Sequence, residues 1–236
     1  MTDLTVIMNT YHERLEWIIT AINAVLPQCD RLIVSMCEGD PNYQMLDSMY
    51  RGKIDIIHLP KSLQLGKCPE QSFRQINNAM QHVTTKYVSW TSSDDIMLPD
   101  KYATELSHMD GFKVVYSNYI MCDENLNNRN EVKLPPYNYE LHKKGNIVSD
   151  LAVWETALWY EFNGFDCGTF RNYSFWDFWL KIYAKYGHVF KHIDTATWLY
   201  RQDANSTHIK RRKSKQMQDE AARDRAAMLQ SHGIEP

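Results

Sequence analysis

The chain has few of the features that staple or anchor a protein. Its five cysteines, Cys29, Cys37, Cys68, Cys122 and Cys167, are odd in number and widely spaced, with no C-x-x-C pair. That argues against a disulfide framework or a zinc knuckle and fits a reducing, cytoplasmic setting. No apolar run approaches the ~18 residues of a membrane span, so no integral membrane contact is expected. The N-terminal MTDLTVIMNT lacks a basic segment followed by a long apolar one, so it does not read as a secretory leader. Neither sign of charge dominates: 26 Lys and Arg against 29 Asp and Glu leave a net charge of -3. A global basic field able to draw in nucleic acid is therefore absent. Repeats, low-complexity tracts and linkers are missing as well, which argues against repeat arrays and strings of independent domains.

What is present is ordinary for a globular α/β protein. The 236 residues are 44% hydrophobic and 23% charged, enough for one large domain with its own core. Leu4 to Met8 reads as a buried strand, and Leu15, Ile18, Ile19, Ile22, Val25 and Leu26 recur at helical spacing. Arg31 to Met36 and Ile54 to His58 read as further strands. Phe73, Ile76, Ala79 or Met80, and Val83 form a helical stripe before a fourth strand at Tyr87 to Trp90. This alternation implies a mainly parallel sheet covered by helices. Lys113 to Tyr119 reads as another strand, and Asp123 to Asn130 as a polar loop. Trp176 to Tyr186 reads as a helix closed by Gly187, two short strands follow at His188 to Ile193 and Ala196 to Tyr200, and a peripheral helix spans Lys213 to Ser231.

The fourth strand ends in two adjacent carboxylates, Asp94 and Asp95, at the place where an open α/β sheet binds its ligands. Such oxygens suit Mn2+ or Mg2+, which complete their shells with water and substrate phosphates. The competing reading is local: either Asp would cap a helix beginning near Pro99.

In their order, these residues resemble the inverting glycosyltransferases of family 2. Met8 to Arg14 is similar to that family's opening P-T-Y-N-R element, Arg74 to Ala79 to its R/A-x-N-x-G/A segment, and Ser92 to Pro99 to its D-x-D-D-x-x-x-P metal element. Trp154 to Asp166 resembles the G-G-F-D acceptor stretch, Asp177 to Lys181 the E-D-x-D-L-W-L-R base helix, and Tyr200-Arg201 the closing Y-R-x-H. The resemblance implies a GT-A-like, Rossmann-type three-layer sandwich with a mixed, mainly parallel sheet. A catalytic domain over 1–208 is expected, with a nucleotide-binding half to about residue 100 and an acceptor-binding half after it. Residues 209–236 are left as a basic segment and C-terminal helix.

The implied activity is metal-dependent, inverting transfer of a sugar from a nucleotide-diphosphate donor, a UDP-sugar first of all, to an acceptor hydroxyl. The implied donor contacts are Thr10, Tyr11, Arg14, Glu38, Arg74, Asn77, Ser93, Asp94 and Arg201. Asp94, Asp95 and His208 would hold the metal, Asp177 would act as base, and Trp154, Glu155 and Asp166 would face the acceptor.

Departures accompany the likeness. Asn9 replaces the opening proline, Ser92 the first metal-motif carboxylate, Phe175 the base-helix aspartate and Asp203 the closing histidine. Met36-Cys37-Glu38-Gly39 stands for the nucleotide-reading D-D-G-S. His188 and His192, four apart, lack the second ligand pair that zinc needs. The cationic run Lys210 to Lys215 is either a solvated surface or a contact for a donor diphosphate, an anionic lipid or a nucleic-acid acceptor such as modified nucleic acid; a glycan, a protein or a small molecule is the other acceptor class. The same fold also houses nucleotidyltransferases, but their Gly-rich G-x-G-x-R loop is missing between Asn9 and Arg14. A catalytically silent sugar- or nucleic-acid-binding module is the alternative function.

Overall fold

The computed structural model describes residues 2–64, 70–170, 173–203 and 207–235, with the side chains of Glu70, Thr207, His208 and Arg211 outside the described set. The first half alternates strand and helix: β1 (Leu4–Asn9), α1 (Leu15–Val25), β2 (Arg31–Cys37), α2 (Tyr43–Tyr50), β3 (Asp55–Leu59), α3 (Glu70–Met80) and β4 (Tyr87–Ser92). Then come β5 (Ile96–Met97), α4 (Lys101–Leu106), β6 (Val114–Asp123), β7 (Asn130–Val132), α5 (Tyr139–His142), β8 (Val153–Glu155), α6 (Ala157–Glu161), α7 (Ser174–Tyr186) and β9 (Phe190–Gln202). Two helices finish the chain, α8 (Thr207–Lys213) and α9 (Lys215–Ser231).

One sheet runs β3-β2-β1-β4-β8-β6-β9-β5, with β7 paired to β6. Its first four strands are parallel, and β8 and β5 run antiparallel to their neighbours. Every residue of β1 is buried, as expected of a parallel strand covered on both faces. Alternation along that strand sends Leu4, Val6 and Met8 into a core with α1, while Ile7 joins a second core with α3 and α7. The arrangement is a mixed-sheet α/β sandwich of three layers.

The two short strands expected after Gly187 form one strand, β9, which pairs with β6 through register shifts between Ser117 and Ile120. The bulges re-aim the chain without breaking it, so a gap in the apolar pattern read as a break where the ladder continues. The C-terminal helix is also more firmly held than its sparse apolar residues implied. Ser214 caps it by accepting a hydrogen bond from the Met217 amide at 3.3 Å, and Met228 and Leu229 bury against Trp176 and Leu180 of α7. No helix among the described residues is long and apolar enough to cross a membrane.

Candidate active site

Parallel pairing puts the ends of β1, β2 and β4 in one row: Asn9 aligns with Ser35 on one side and Ser92 on the other. The loops that follow, 10–14, 38–40 and 93–95, therefore border one crevice at the carboxyl ends of the strands. The Thr10 amide donates to Ser35 O at 3.0 Å. Gln75 of α3 props the same corner, giving its amide Nε2 to Thr10 O at 2.8 Å and Ser35 O at 3.1 Å. Among the described residues, Thr10 Oγ1 and Gln75 Oε1 are buried without hydrogen-bond partners. Tyr11 lies edge-on to His12 with ring centroids 4.4 Å apart. Glu38 is exposed at the end of β2, where its Oε2 accepts the Lys61 amide at 3.1 Å.

Asp94 and Asp95 do not cap a helix. The short strand β5 intervenes, and the cap position of α4 is Asp100, in a left-handed conformation at φ 63°. Asp95 Oδ1 accepts the Arg201 amide at 3.1 Å. Ser92, standing where a carboxylate is usual, donates its hydroxyl to Asp94 Oδ1, and Ser93 is buried beside it. Burial raises the Asp94 carboxyl above the ordinary range, Arg201 opposing and Asp203 reinforcing that shift. Asp95 is pushed well above it, by burial first and then by the Asp94 charge. Glu13 is raised mainly by burial, with Asp94 and Asp203 adding. This accumulation of like charge at a half-buried carboxylate suits a hard divalent cation, which offsets it. Among the described residues no three His, Cys, Asp or Glu side chains form a group that could hold a metal ion. The His208 side chain lies outside the described residues.

Arg201 locks this loop. Its Nε donates to Asp94 O at 2.8 Å, its Nη1 donates to Glu124 O, and its guanidinium sits 4.4 Å from the centre of the Trp17 ring. Arg14, half-exposed, covers the same ring at 4.3 Å and pairs with Glu124 at 3.7 Å. Arg201 is only 4% exposed, so it acts as the support of the carboxylate loop, while Arg14 is the cation open to a ligand.

Several residues fall elsewhere than expected. Asn77 is consumed by the fold: its Nδ2 donates to Phe165 O at 2.8 Å, and its Oδ1 accepts from Trp159 Nε1 and the Phe165 amide, both at 3.0 Å. The tight turn it holds requires glycine, since a Cβ on Gly164 would come within 2.9 Å of Asn77 Oδ1 at a backbone φ of +77°. Arg74 spends Nη1 on Leu63 O at 3.0 Å. Trp154 is fully buried in the second core, and Glu155 pairs with Lys113 at 2.5 Å. Since Glu155 aligns with Tyr87, five residues before Ser92, it lies roughly 16 Å along the strand from the metal loop. An open cavity of about 570 Å³ among Lys86, Tyr87, Lys113 and Glu155 belongs to that far edge. Asp166 organises its own loop, its Oδ1 accepting the amides of Gly168, Thr169 and Phe170 at 3.0, 2.6 and 3.0 Å. Burial alone would raise its carboxyl, but those bonds hold it below the usual value.

Asp177 also departs from the expected role. It is 1% exposed, pairs with Lys181 at 2.6 Å, and contacts His232 Nε2 at 2.9 Å across the α7–α9 junction. Both of its carboxylate oxygens are thus engaged within the fold. Phe175, two residues earlier on the helix, points the other way and packs on Trp90 and Phe73 with centroids 5.2 and 5.3 Å apart. Asp177→Asn should therefore cost about 1–3 kcal/mol of stability through its buried bonds and leave transfer close to wild type. A loss of turnover with unchanged thermal unfolding would return Asp177 to the catalytic role.

Residues that sequence alone did not single out are Gln75, Glu13, Trp17 and Asp150, while Tyr200 entered only as part of the closing motif. Asp150 precedes β8. Continued past its last pair, Ser89 with Val153, the antiparallel register brings Asp150 level with Ser92. The Tyr200 hydroxyl, pushed up to about 12 by burial, feels Asp95, Asp94, Tyr119 and Asp150 together. A cue existed only in the chain order Ser149-Asp150-Leu151, a polar pair just ahead of an apolar strand.

The fold is thus a mixed α/β sheet with acidic loops at the carboxyl ends of its parallel strands. The family model described as "Glycosyl transferase family 2" matches residues 5–169, well over half of the chain, and the chain belongs to that family. No curated protein matches in a sequence search. Among solved structures, Staphylococcus aureus TarS 1-349 in complex with UDP-GlcNAc superposes with a TM-score of 0.67 at 15% identity, covering 88% of this chain and 60% of that one. A second TarS 1-349 crystal structure gives 0.63 at 18% identity, over 84% and 60%. The mannosyltransferase PcManGT from Pyrobaculum calidifontis, in complex with GDP-Man and Mn2+, gives 0.58 at 16% identity, over 98% and 68%. These likenesses establish the GT-A-like fold, and the chain spans about 60% of the TarS fragment's length.

Proposed function

We propose that the protein transfers a sugar from a nucleotide-diphosphate donor to an acceptor hydroxyl, with inversion and with the help of Mn2+ or Mg2+. The observation that carries this reading is the placement of Asp94 at the carboxyl end of β4, in the shared field of Glu13 and Asp203 and braced by Arg201. Asp94 would hold the cation, whose charge would also offset that of Asp203. Bound there, the ion would neutralise the diphosphate and ease its departure. Tyr11 would border the nucleobase, an aromatic face being suited to that contact, and Arg14 would meet phosphate. Glu38, exposed at the end of β2, would read the nucleoside. The TarS and PcManGT structures hold UDP-GlcNAc and GDP-Man, which makes these two donors the first to test.

The test is thermal unfolding of the full chain with UDP or GDP, each with and without Mn2+. Nucleoside diphosphate release from UDP-GlcNAc and GDP-mannose is measured alongside. Cation-dependent stabilisation by one nucleotide together with its release from the matching sugar is expected. Failure of both nucleotides to bind would overturn the reading. The burial of Asp177 and Phe175 favours the rival of a silent sugar-binding module, and binding without release would favour it too.

For the acceptor, Lys210, Arg212 and Lys213 are exposed on α8, just beyond the end of β9. They would draw a polyanion, and acceptor binding should then weaken steeply with salt.

A further inference from the structure

An acceptor hydroxyl must lose a proton as its oxygen attacks the anomeric carbon, and the bond to the diphosphate breaks with its electron pair leaving on the nucleotide. The proton needs a receiver on the acceptor side of the sugar. Most carboxylates near the crevice are otherwise engaged. Asp95 Oδ1 holds the Arg201 amide, Asp40 holds the Asn42 and His12 amides at 2.9 and 3.4 Å, Glu124 faces Arg14, and Asp177 is sealed under α9. Glu13 and Asp203 lie in the field of Asp94, where the cation would sit.

We infer that Asp150 is the base that takes the acceptor proton, an inference that rests on the transferase reading above. Strand order supplies the geometry. From β4, the nucleotide loops lie towards β1 and β2, whereas Asp150 enters from β8 on the opposite side, at the level of Ser92 by the register of the ladder. Tyr200 ties the two sides together, because its hydroxyl lies in the fields of Asp94, Asp95 and Asp150 alike.

Asp150 is half-buried. Asn146 Nδ2 donates to its Oδ1 at 3.0 Å, and among the described residues its Oδ2 has no partner, leaving that oxygen for a ligand. Its backbone is firmly supported. The fully buried Lys101 donates to Leu151 O at 3.0 Å and to Glu105 at 2.6 Å, and Ser149 Oγ accepts the Leu151 amide at 3.2 Å. The titratable groups facing it are Tyr119 from β6 and Tyr200 from β9. Burial pushes its carboxyl up to about 7, a value suited to receiving a proton near neutral pH. No part of this placement depends on Asp177.

The experiment uses the full chain with UDP-GlcNAc and GDP-mannose as donors and Mn2+ present, measuring nucleoside diphosphate release, with azide added in parallel. Asp150→Asn can keep the Asn146 contact. It should lower kcat by roughly 10²–10⁴-fold, leave KM and Mn2+-dependent UDP or GDP binding unchanged, and remove the rise of kcat through neutral pH. Azide needs no deprotonation, so it should restore release in Asp150→Ala without stimulating wild type. Should Asp150→Asn fail to fold, Asp150→Glu keeps the charge but displaces it, and should lower kcat with binding intact. Wild-type kcat in Asp150→Asn or Asp150→Glu would overturn this inference alone. A wild-type chain that binds nucleotide yet releases none would overturn the transferase reading and this inference with it.

Discussion

Asp94→Asn is expected to abolish cation-dependent nucleotide binding. In wild type, UDP or GDP at 100 times its dissociation constant should stabilise the chain by about 2.7 kcal/mol; in the variant, Mn2+ should add nothing to that stabilisation. Turnover should fall on the order of 10²–10³-fold, the usual consequence of removing one charge-stabilising group. Apo stability should move the other way. The folded protein holds the Asp94 proton more tightly than the unfolded chain, because burial raises its carboxyl. Its contribution is therefore complete at pH below the unfolded value of ~3.9 and is lost as pH rises through the folded value. Asparagine has no proton to lose, so the apo variant should be at least as stable as wild type at pH 8. A variant that melts lower than wild type at pH 8 and still responds to Mn2+ would contradict the assignment.

Arg201→Ala should have the largest effect on the fold. The side chain is buried, holds the carbonyls of Asp94 and Glu124, and stacks on Trp17. Its loss would leave those carbonyls bare and Asp94 and Asp95 without their nearest cation. Removing one partner from a buried charged network costs roughly 3–5 kcal/mol, measurable by chemical denaturation. Arg201→Lys should not rescue it, since a single ammonium cannot reproduce the planar fork and the ring stacking. A lysine variant of wild-type stability would show that charge alone suffices there.

The parallel half of the fold was legible because each strand there is a short apolar run and each helix a clear stripe, as in Leu4 to Met8 and Leu15 to Leu26. The second half was less so. His188 to Tyr200 looked like two strands because Asp194 and Thr195 interrupt an apolar pattern that bulges carry across. Within the site, the placement of Thr10 and Asp94 just past the ends of β1 and β4 was legible from local sequence. Asn77, Trp154, Glu155 and Asp177 were not, because partners distant in the chain decide what each side chain faces: Phe165, the second core, Lys113 and His232 respectively.

By itself, then, the amino-acid order determined the α/β layering and the acidic turn after β4. Hydrophobic periodicity and strand-end chemistry act over a few residues, and those interactions are written locally. The tertiary structure alone decided which carboxylates remain free. Whether an aspartate is a ligand, a base or a structural anchor depends on the groups that burial brings to it. For Asp177 that group is a histidine 55 residues away; for Asp150, in the inference drawn from its place beside β4, it is the open side of the crevice.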